Sequence, residues 1–245
     1  MDIVFLAAGM GQRISKKKLK HKSLMKVIKK SLITRLIQNA ISSKIKNLNI
    51  VIGHNGKYIK KHLKKYKINF IENYYFKKKN IAYSIYLALA NTPIKNDLLI
   101  SYSDIFYKKD LLELILKKKG ENLLIPVLKN WKRVWNYRKE NIFRDAENLI
   151  TYDNKIISIG KKISNPSKIE FQYMGLIFIP KNLKKTLIKT FHKYNLDSFD
   201  GTKLLNKLIK EKFSLNYIKY NGIWYEFDKP KDEKNFPRYL KNFKF

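Results

Sequence analysis

FLAAGMGQRI, residues 5–14, starts as an apolar run and then breaks into two glycines, a glutamine and an arginine. With the residues before it, DIVFLAA (2–8) shows no polar alternation after Asp2. That is the pattern of a strand covered on both faces, and so of a parallel sheet. A strand ending in A-A-G-M-G turns tightly and brings backbone N–H groups close to an anion or a base with no Cβ in the way. The turn matches neither common phosphate signature. Position 14 is Ile14 where G-x-G-x-x-G needs glycine, and the turn does not continue as G-x-x-x-x-G-K-[ST].

Outward from this strand, helical and extended patterns alternate. SLITRLIQNAISS (31–43) sets Leu32, Leu36, Ile37 and Ala40 on one helical face, and LNIVIG (48–53) returns as a second apolar strand. A basic amphipathic helix near 57–66, a strand at INFI (68–71), a helix near 80–90 and a strand at DLLISYSD (97–104) continue the series. The alternation predicts an α/β fold: a Rossmann-like mixed, mostly parallel sheet with helices on both faces and ligands at the carboxyl ends of the strands. The second half is less regular. It reads as a helix at 111–119, a strand at 123–128, an irregular aromatic and charged stretch over 129–146, and short β segments at 149–153, 155–160 and 172–179. Helices at 181–193 and 201–212, strands at 215–220 and 223–227 and a terminal helix near 230–242 follow. A small β-rich region covering the substrate is expected from the later strands.

The 245 residues carry 53 Lys+Arg against 19 Asp+Glu, a formal charge of +34, which favours anionic partners. The lysines are spread through KKKLK (16–20), KKHLKKYK (60–67), FKKKN (76–80) and LKKKG (116–120), as a generic surface residue would be rather than a binding footprint. The lack of cysteine excludes disulfides, thiolate chemistry and Cys-based zinc sites, and fits a cytoplasmic compartment. There is no apolar run of about 18 residues and no signal-like start, so neither a membrane nor export is expected. His21, His54, His62 and His192 lack metal-ligand spacing and read as surface or loop residues.

The scarce acids are more telling. Asp104 ends LLISYSD where a strand would emerge into a cleft, and a carboxylate there can hold Mg²⁺ or cap a following helix. Glu226 and Asp228 end IWYEFD, and strand alternation points both to one face. They can complete a metal site, or Asp228 can cap a helix beginning near Pro230. Arg13 and Lys22 follow the glycine turn and can converge on a polyphosphate.

FLAAGMGQRI followed by KSL (22–24) resembles the signature of the nucleotidyltransferases that make sugar nucleotides and related activated head groups, L-A-A-G-x-G-x-R and then P-K-x-L. KNIAYSIYLAL (79–89), SYSDIFY (101–107), NWKRVWNYR (130–138), DAE (145–147), QYMGL (172–176), FDGTKLLNKLI (199–209) and GIWYEFDKPKD (222–232) resemble the branch that activates phosphocholine and phosphonates with CTP. The resemblance implies an Mg²⁺-dependent cytidylyltransferase. An oxygen of a phosphate, phosphonate or phosphoramidate attacks the α-phosphorus of CTP, and pyrophosphate leaves. One domain over 1–245 is expected, with a nucleotide-binding half at about 1–128, an acceptor-binding half at about 129–228 and a C-terminal helix at 229–245.

Carried over by position, the backbone of Leu6, Ala7, Ala8 and Gly9 would approach cytosine and ribose, with Asn80 and Ser84 as supports. Gly11 and Arg13 would face the triphosphate, Lys22 the phosphorus under attack, and Asp104 and Asp228, with Glu226, the magnesium. His21 stands where the family has proline, and the loop from Arg13 to Lys22 is about one residue short. Loss of proline is expected to loosen this loop, with Lys20 and Lys26 close enough to share the role of Lys22. A choline acceptor would want an aromatic cage, for which Trp131, Trp135, Tyr173 and Trp224 are available. An aminoethyl acceptor would want a carboxylate from Asp145, Glu147, Glu170 or Asp200. The same residues can instead pack the core or cap turns and helices. Two other readings stand beside this one: a sugar-1-phosphate nucleotidyltransferase, and a basic nucleic-acid-binding protein, for which aromatics interleaved with lysines are the motive. On the leading reading there is no specific nucleic-acid partner, and a homodimer is left open.

Overall fold

In the computed structural model the opening run forms β1 (Asp2–Ala7), with all six residues buried. The structure describes residues 1–11, 21–139, 141, 146–162, 165, 167 and 169–243; Arg13, Lys20 and Asp145 lie outside them. The remaining strands are β2 (Lys26–Val27), β3 (Lys30–Ser31), β4 (Asn47–Ile52), β5 (Asn69–Glu72), β6 (Leu98–Tyr102), β7 (Ile105–Tyr107) and β8 (Leu123–Leu128). After these come β9 (Glu147–Tyr152), β10 (Lys155–Lys162), β11 (Gln172–Tyr173), β12 (Leu176–Ile179), β13 (Leu215–Tyr220) and β14 (Trp224–Glu226).

The main sheet runs β5-β4-β1-β6-β12-β8-β13-β10-β9, with β11 beside β8. β5, β4, β1 and β6 are parallel, β12 runs antiparallel to β6, and β13 is parallel to β8. The two halves of the chain therefore share one sheet. Pro126 lies inside β8, where a missing N–H would ordinarily break a ladder. Here β12 pairs with β8 at Leu124 and β11 takes over at Val127 and Leu128, so the proline falls where one neighbour gives way to the next.

Alternation along β1 divides the core. Ile3, Phe5 and Ala7 pack in one cluster with the helices Leu32–Ser42 and Lys109–Lys118. Val4, Leu6 and Ala8 pack in the other with Ile81–Ala90, Lys181–His192 and Gly201–Lys210. Helices thus cover both faces, which is why β1 has no polar alternation.

Two segments differ from expectation. The strand expected at 97–104 ends at Tyr102; β7 follows and pairs antiparallel with β14 in a small ladder of its own, leaving Asp104 in the connection. The stretch read as irregular contains a helix, Trp131–Arg138, whose Trp131, Val134, Trp135 and Arg138 are all buried at helical spacing. It packs against the C-terminal helix Pro230–Leu240. Among the described residues no helix is long and apolar enough to cross a membrane.

Candidate active site

A cleft of about 830 Å³ opens at the carboxyl end of β1, within the range of small-ligand sites. Leu6, Ala7, Ala8, Gly9 and Gly11 line one side of it. A Cβ added at Gly9 would meet nothing within 4 Å, so the chain there leaves a cradle open to a ligand. Gly11 adopts φ +59°, and a Cβ on it would lie 3.1 Å from the Cβ of Lys22. Glycine is thus needed at this position both for the backbone and for the approach of Lys22. Asn80 and Ser84 also line the cleft. Asn80 caps the helix Ile81–Ala90, accepting from the Ile81 N–H at 2.8 Å, and Ser84 accepts from Asn73 Nδ2 at 3.1 Å.

Beside the glycine turn, Lys22 Nζ donates to Asp104 Oδ2 and to Asp228 Oδ1, each at 2.8 Å. Burial alone would lower the Lys22 pKa, but the two carboxylates outweigh it and hold the ammonium above the usual lysine range. Asp104, Glu226 and Asp228 bring oxygen atoms within 4.8 Å of one another. The β7–β14 ladder makes this possible: Glu226 pairs with Ile105, and the Phe227 N–H donates to the Asp104 carbonyl at 2.9 Å. Burial, with repulsion from Asp228 and Asp104, pushes the Glu226 pKa up to about 8 against the pull of Arg138 and Lys22.

This cluster fits a hard divalent cation. Among the described residues Asp104 Oδ1, buried, has no hydrogen-bond partner, which leaves an oxygen lone pair for such an ion. The donors are all carboxylate oxygens, which suits Mg²⁺. Neither carboxylate is spent on a cap. β7 rather than a helix follows Asp104, and at the C-terminal helix Asp232 Oδ2 accepts from the N–H groups of Asp228 and Lys229 at 2.8 and 2.7 Å.

His21 corrects the surface reading: only 5% of it is exposed. It has φ −158° and caps the short turn Lys22–Leu24, its Nδ1 accepting from the Ser23 N–H at 3.2 Å and hydrogen-bonding the Ser23 hydroxyl at 2.8 Å. The turn that carries Lys22 is thus held by a side-chain cap where the family uses the fixed φ of proline. Burial, with the charge of His54, lowers the His21 pKa to about 4. His62 and His192 are exposed and His54 is half-buried in a turn, in keeping with their reading. Lys26 is exposed on β2 and does not line the cleft.

Trp135, Glu147, Tyr173 and Asp200 also line the cleft. Tyr173 packs edge-on against Tyr102 at 5.9 Å. Asp200 also caps the helix Gly201–Lys210, its Oδ1 accepting from the Lys203 N–H at 2.8 Å. Trp131, Trp224 and Glu170 do not line the cleft. The two indoles are core residues donating to the carbonyls of Ile169 (3.2 Å) and Met174 (2.9 Å), and Trp131 and Glu170 border a separate hollow. The four-aromatic cage thus reduces to Trp135 and Tyr173 because β14 and the helix Trp131–Arg138 turn the other two rings into the core.

Several cleft residues were not singled out from sequence. Asn73 follows β5, and Ser103 donates from its hydroxyl to the Leu6 carbonyl at 2.6 Å, tying the Asp104 connection to β1. The signal for both was polar residues directly after apolar strands. Gln172 joins β11 to β9, donating to the Glu147 carbonyl at 2.7 Å and accepting from its N–H at 3.2 Å. Arg138, fully buried beside Glu226 and Asp228, had only the helical spacing of NWKRVWNYR to mark it.

The MobA-like NTP transferase domain matches residues 3–157. Over 243 residues, 93% of this chain and 96% of the relative, the sequence is 30% identical to the CTP:phosphoglutamine cytidylyltransferase of Campylobacter jejuni. Among solved structures, the inositol-1-phosphate CTP transferase from T. maritima superposes with a TM-score of 0.77 at 16% identity, over 100% of this chain and 98% of that one. The CTP:phosphocholine cytidylyltransferase from Streptococcus pneumoniae superposes with a TM-score of 0.70 at 16% identity, over 98% of each chain. At such identities these structures speak to the fold.

Proposed function

The chain belongs to the MobA-like NTP transferase family, and we propose that it is a cytidylyltransferase moving CMP from CTP onto a small phosphorylated acceptor that bears an amine. The observation that carries this reading is the meeting, across one cleft, of an open glycine turn, the Lys22 ammonium and three converging carboxylates. The 30% identity to a phosphoglutamine enzyme over nearly the whole chain supports CTP as the donor. The acceptor class follows from charge. Trp135, Tyr173, Glu147 and Asp200 line the same cleft, and an ammonium there would meet aromatic faces and carboxylates.

In the reaction an anionic acceptor oxygen forms a bond to the α-phosphorus of CTP as the bond to the β-phosphate oxygen breaks, and pyrophosphate leaves. That oxygen is already deprotonated, so the protein has no proton to remove. Its work is positioning and charge stabilisation. The backbone from Leu6 to Gly9 cradles the nucleoside, and Lys22, held protonated, answers charge on the α-phosphate. Asp104, Asp228 and Glu226 would hold Mg²⁺, which neutralises phosphate charge.

The test is pyrophosphate release from CTP with phosphoglutamine, phosphocholine, 2-aminoethylphosphonate, inositol 1-phosphate and a sugar 1-phosphate in turn. Turnover is expected with an amine-bearing acceptor and is expected to fall about 10²–10³-fold in Asp104→Asn. Exclusive use of the sugar phosphate would overturn the acceptor class, and full activity in Asp104→Asn would overturn the metal assignment.

A further inference from the structure

We propose that Arg138 is a positioning residue for the transfer step: from behind the site it sets the Glu226 and Asp228 carboxylates against Asp104. The inference rests on the cytidylyltransferase reading above.

Arg138 ends the helix Trp131–Arg138 and its side chain is 0% exposed. It is absent from the cleft wall, so it does not touch substrate. Its three guanidinium nitrogens reach three different carboxylates. Nη1 lies 3.2 Å from Glu226 Oε2, Nη2 4.0 Å from Asp228 Oδ2 and Nε 3.7 Å from Asp232 Oδ1. The guanidinium also sits 5.3 Å from the centre of the Trp135 ring, whose other surroundings include the cleft.

Lys22 approaches the carboxylates from the cleft side and Arg138 from the protein side. The four acids, Asp104, Glu226, Asp228 and Asp232, repel one another and would splay without a cation on each side. A buried arginine is expensive unless its partners need it, and an apolar residue would serve simple packing better. A planar fork also does what a lysine cannot. It sets one planar charge beside three carboxylates at once, nearest Glu226 at 3.2 Å, whereas an ammonium is a point charge on a flexible stem. Asp232 extends the arrangement, because the oxygen beside the one facing Arg138 accepts from the Asp228 and Lys229 N–H groups. The backbone that carries Asp228 is therefore anchored to the same guanidinium.

The experiment compares wild type, Arg138→Lys and Arg138→Met as full-length protein. The readouts are Mn²⁺ affinity by EPR of the free ion, kcat and KM for CTP, and Tm. In Arg138→Met the Mn²⁺ Kd is expected to rise about tenfold and kcat to fall about 10–100-fold, the usual cost of losing a residue that orients metal ligands. KM for CTP should stay within about threefold, since Arg138 makes no substrate contact. Arg138→Lys, which keeps the charge and loses the fork, should recover less than half of either loss on a logarithmic scale.

Wild-type Mn²⁺ affinity in Arg138→Met with a lowered Tm would reduce Arg138 to a structural residue and overturn the proposal. Full recovery in Arg138→Lys would overturn it as well, and that variant alone decides the matter if the methionine does not fold. Should the wild type turn over no acceptor while binding Mn²⁺ in a manner lost in Asp104→Asn, the functional reading fails, and the Mn²⁺ comparison still judges Arg138.

Discussion

Replacing Lys22 by methionine keeps the hydrocarbon stem and removes the ammonium that lies 2.8 Å from both Asp104 and Asp228. Removing one partner of a buried ion pair costs about 3–5 kcal/mol. Asp104 is 26% exposed and Asp228 9%, so solvent screens part of the repulsion left behind. A loss of about 2–3 kcal/mol follows, which for a chain of this size lowers Tm by about 4–12 °C. A divalent cation seeks the same two carboxylates that the ammonium holds, so the two compete for their negative charge. Without Lys22 the ion should bind more tightly in the absence of nucleotide, and at 100 times its Kd it returns about 2.7 kcal/mol. The assay is thermal unfolding of wild type and Lys22→Met in EDTA and in Mg²⁺, alongside pyrophosphate release. The variant should melt lower in EDTA, gain more from Mg²⁺ than wild type, and turn over about 10²–10³-fold more slowly. Equal Mg²⁺ shifts in the two proteins would refute a shared site, and an unchanged Tm in EDTA would refute the weight given to the ion pairs.

The His21 pKa of about 4 lies below its unfolded value of 6.5, so its contribution is complete above pH 6.5 and is lost as pH falls through 4. By pH 5 the loss is about 2 kcal/mol; because the raised Glu226 pKa moves wild-type stability the other way over this range, urea titrations at pH 7 and 5 should show the loss in Glu226→Gln and not in the Glu226→Gln/His21→Gln double variant. His21→Pro, which restores the family residue, should destabilise rather than tighten the turn, because φ −158° is closed to proline; a higher Tm in that variant would contradict the capping account. Glu226 has the opposite sign: with its pKa raised to about 8, its contribution is complete below pH 4.5 and is lost as pH rises through 8. In EDTA between pH 7.5 and 8.5, where His21 is essentially neutral in both states, wild-type stability should therefore fall while that of Glu226→Gln stays level, and a level wild-type curve would remove the basis for the raised pKa.

The strands with the plainest signal were the easiest to place. LLIPVL and LNYIKY coincide with β8 and β13, and DIVFLAA overshoots β1 by a single residue. Burial of β1 and β8 on both faces leaves a continuous apolar run, and its shortness, with glycine or charge at its end, favours a strand over a buried helix. The helix Trp131–Arg138 was hidden because Lys132, Arg133, Asn136 and Tyr137 break the apolar impression, although its buried residues keep helical spacing. QYMGL read as the start of one strand. In fact Gly175, at φ +77° with the Tyr102 ring against it, divides β11 from β12.

Within the site, legibility followed scarcity. A chain with 53 basic residues has lysine everywhere, so no lysine marks a site by its position alone. The 19 acids are different: five of them, Asp104, Glu147, Asp200, Glu226 and Asp228, line the cleft, against Lys22 and Lys79 among the described cations there. On the proposed function, a cation would sit between the acids near the glycine turn and the phosphates, and Glu147 and Asp200 would face a cationic acceptor. Arg138 escaped notice for the complementary reason. Its meaning depends on Glu226, Asp228 and Asp232, which the fold brings to it from about ninety residues away through the β7–β14 ladder and the C-terminal helix. In a lysine-rich chain, then, the cations worth testing are picked out by the carboxylates they are folded against: Lys22 meets Asp104 and Asp228 from the cleft, and Arg138 meets Glu226, Asp228 and Asp232 from the protein side.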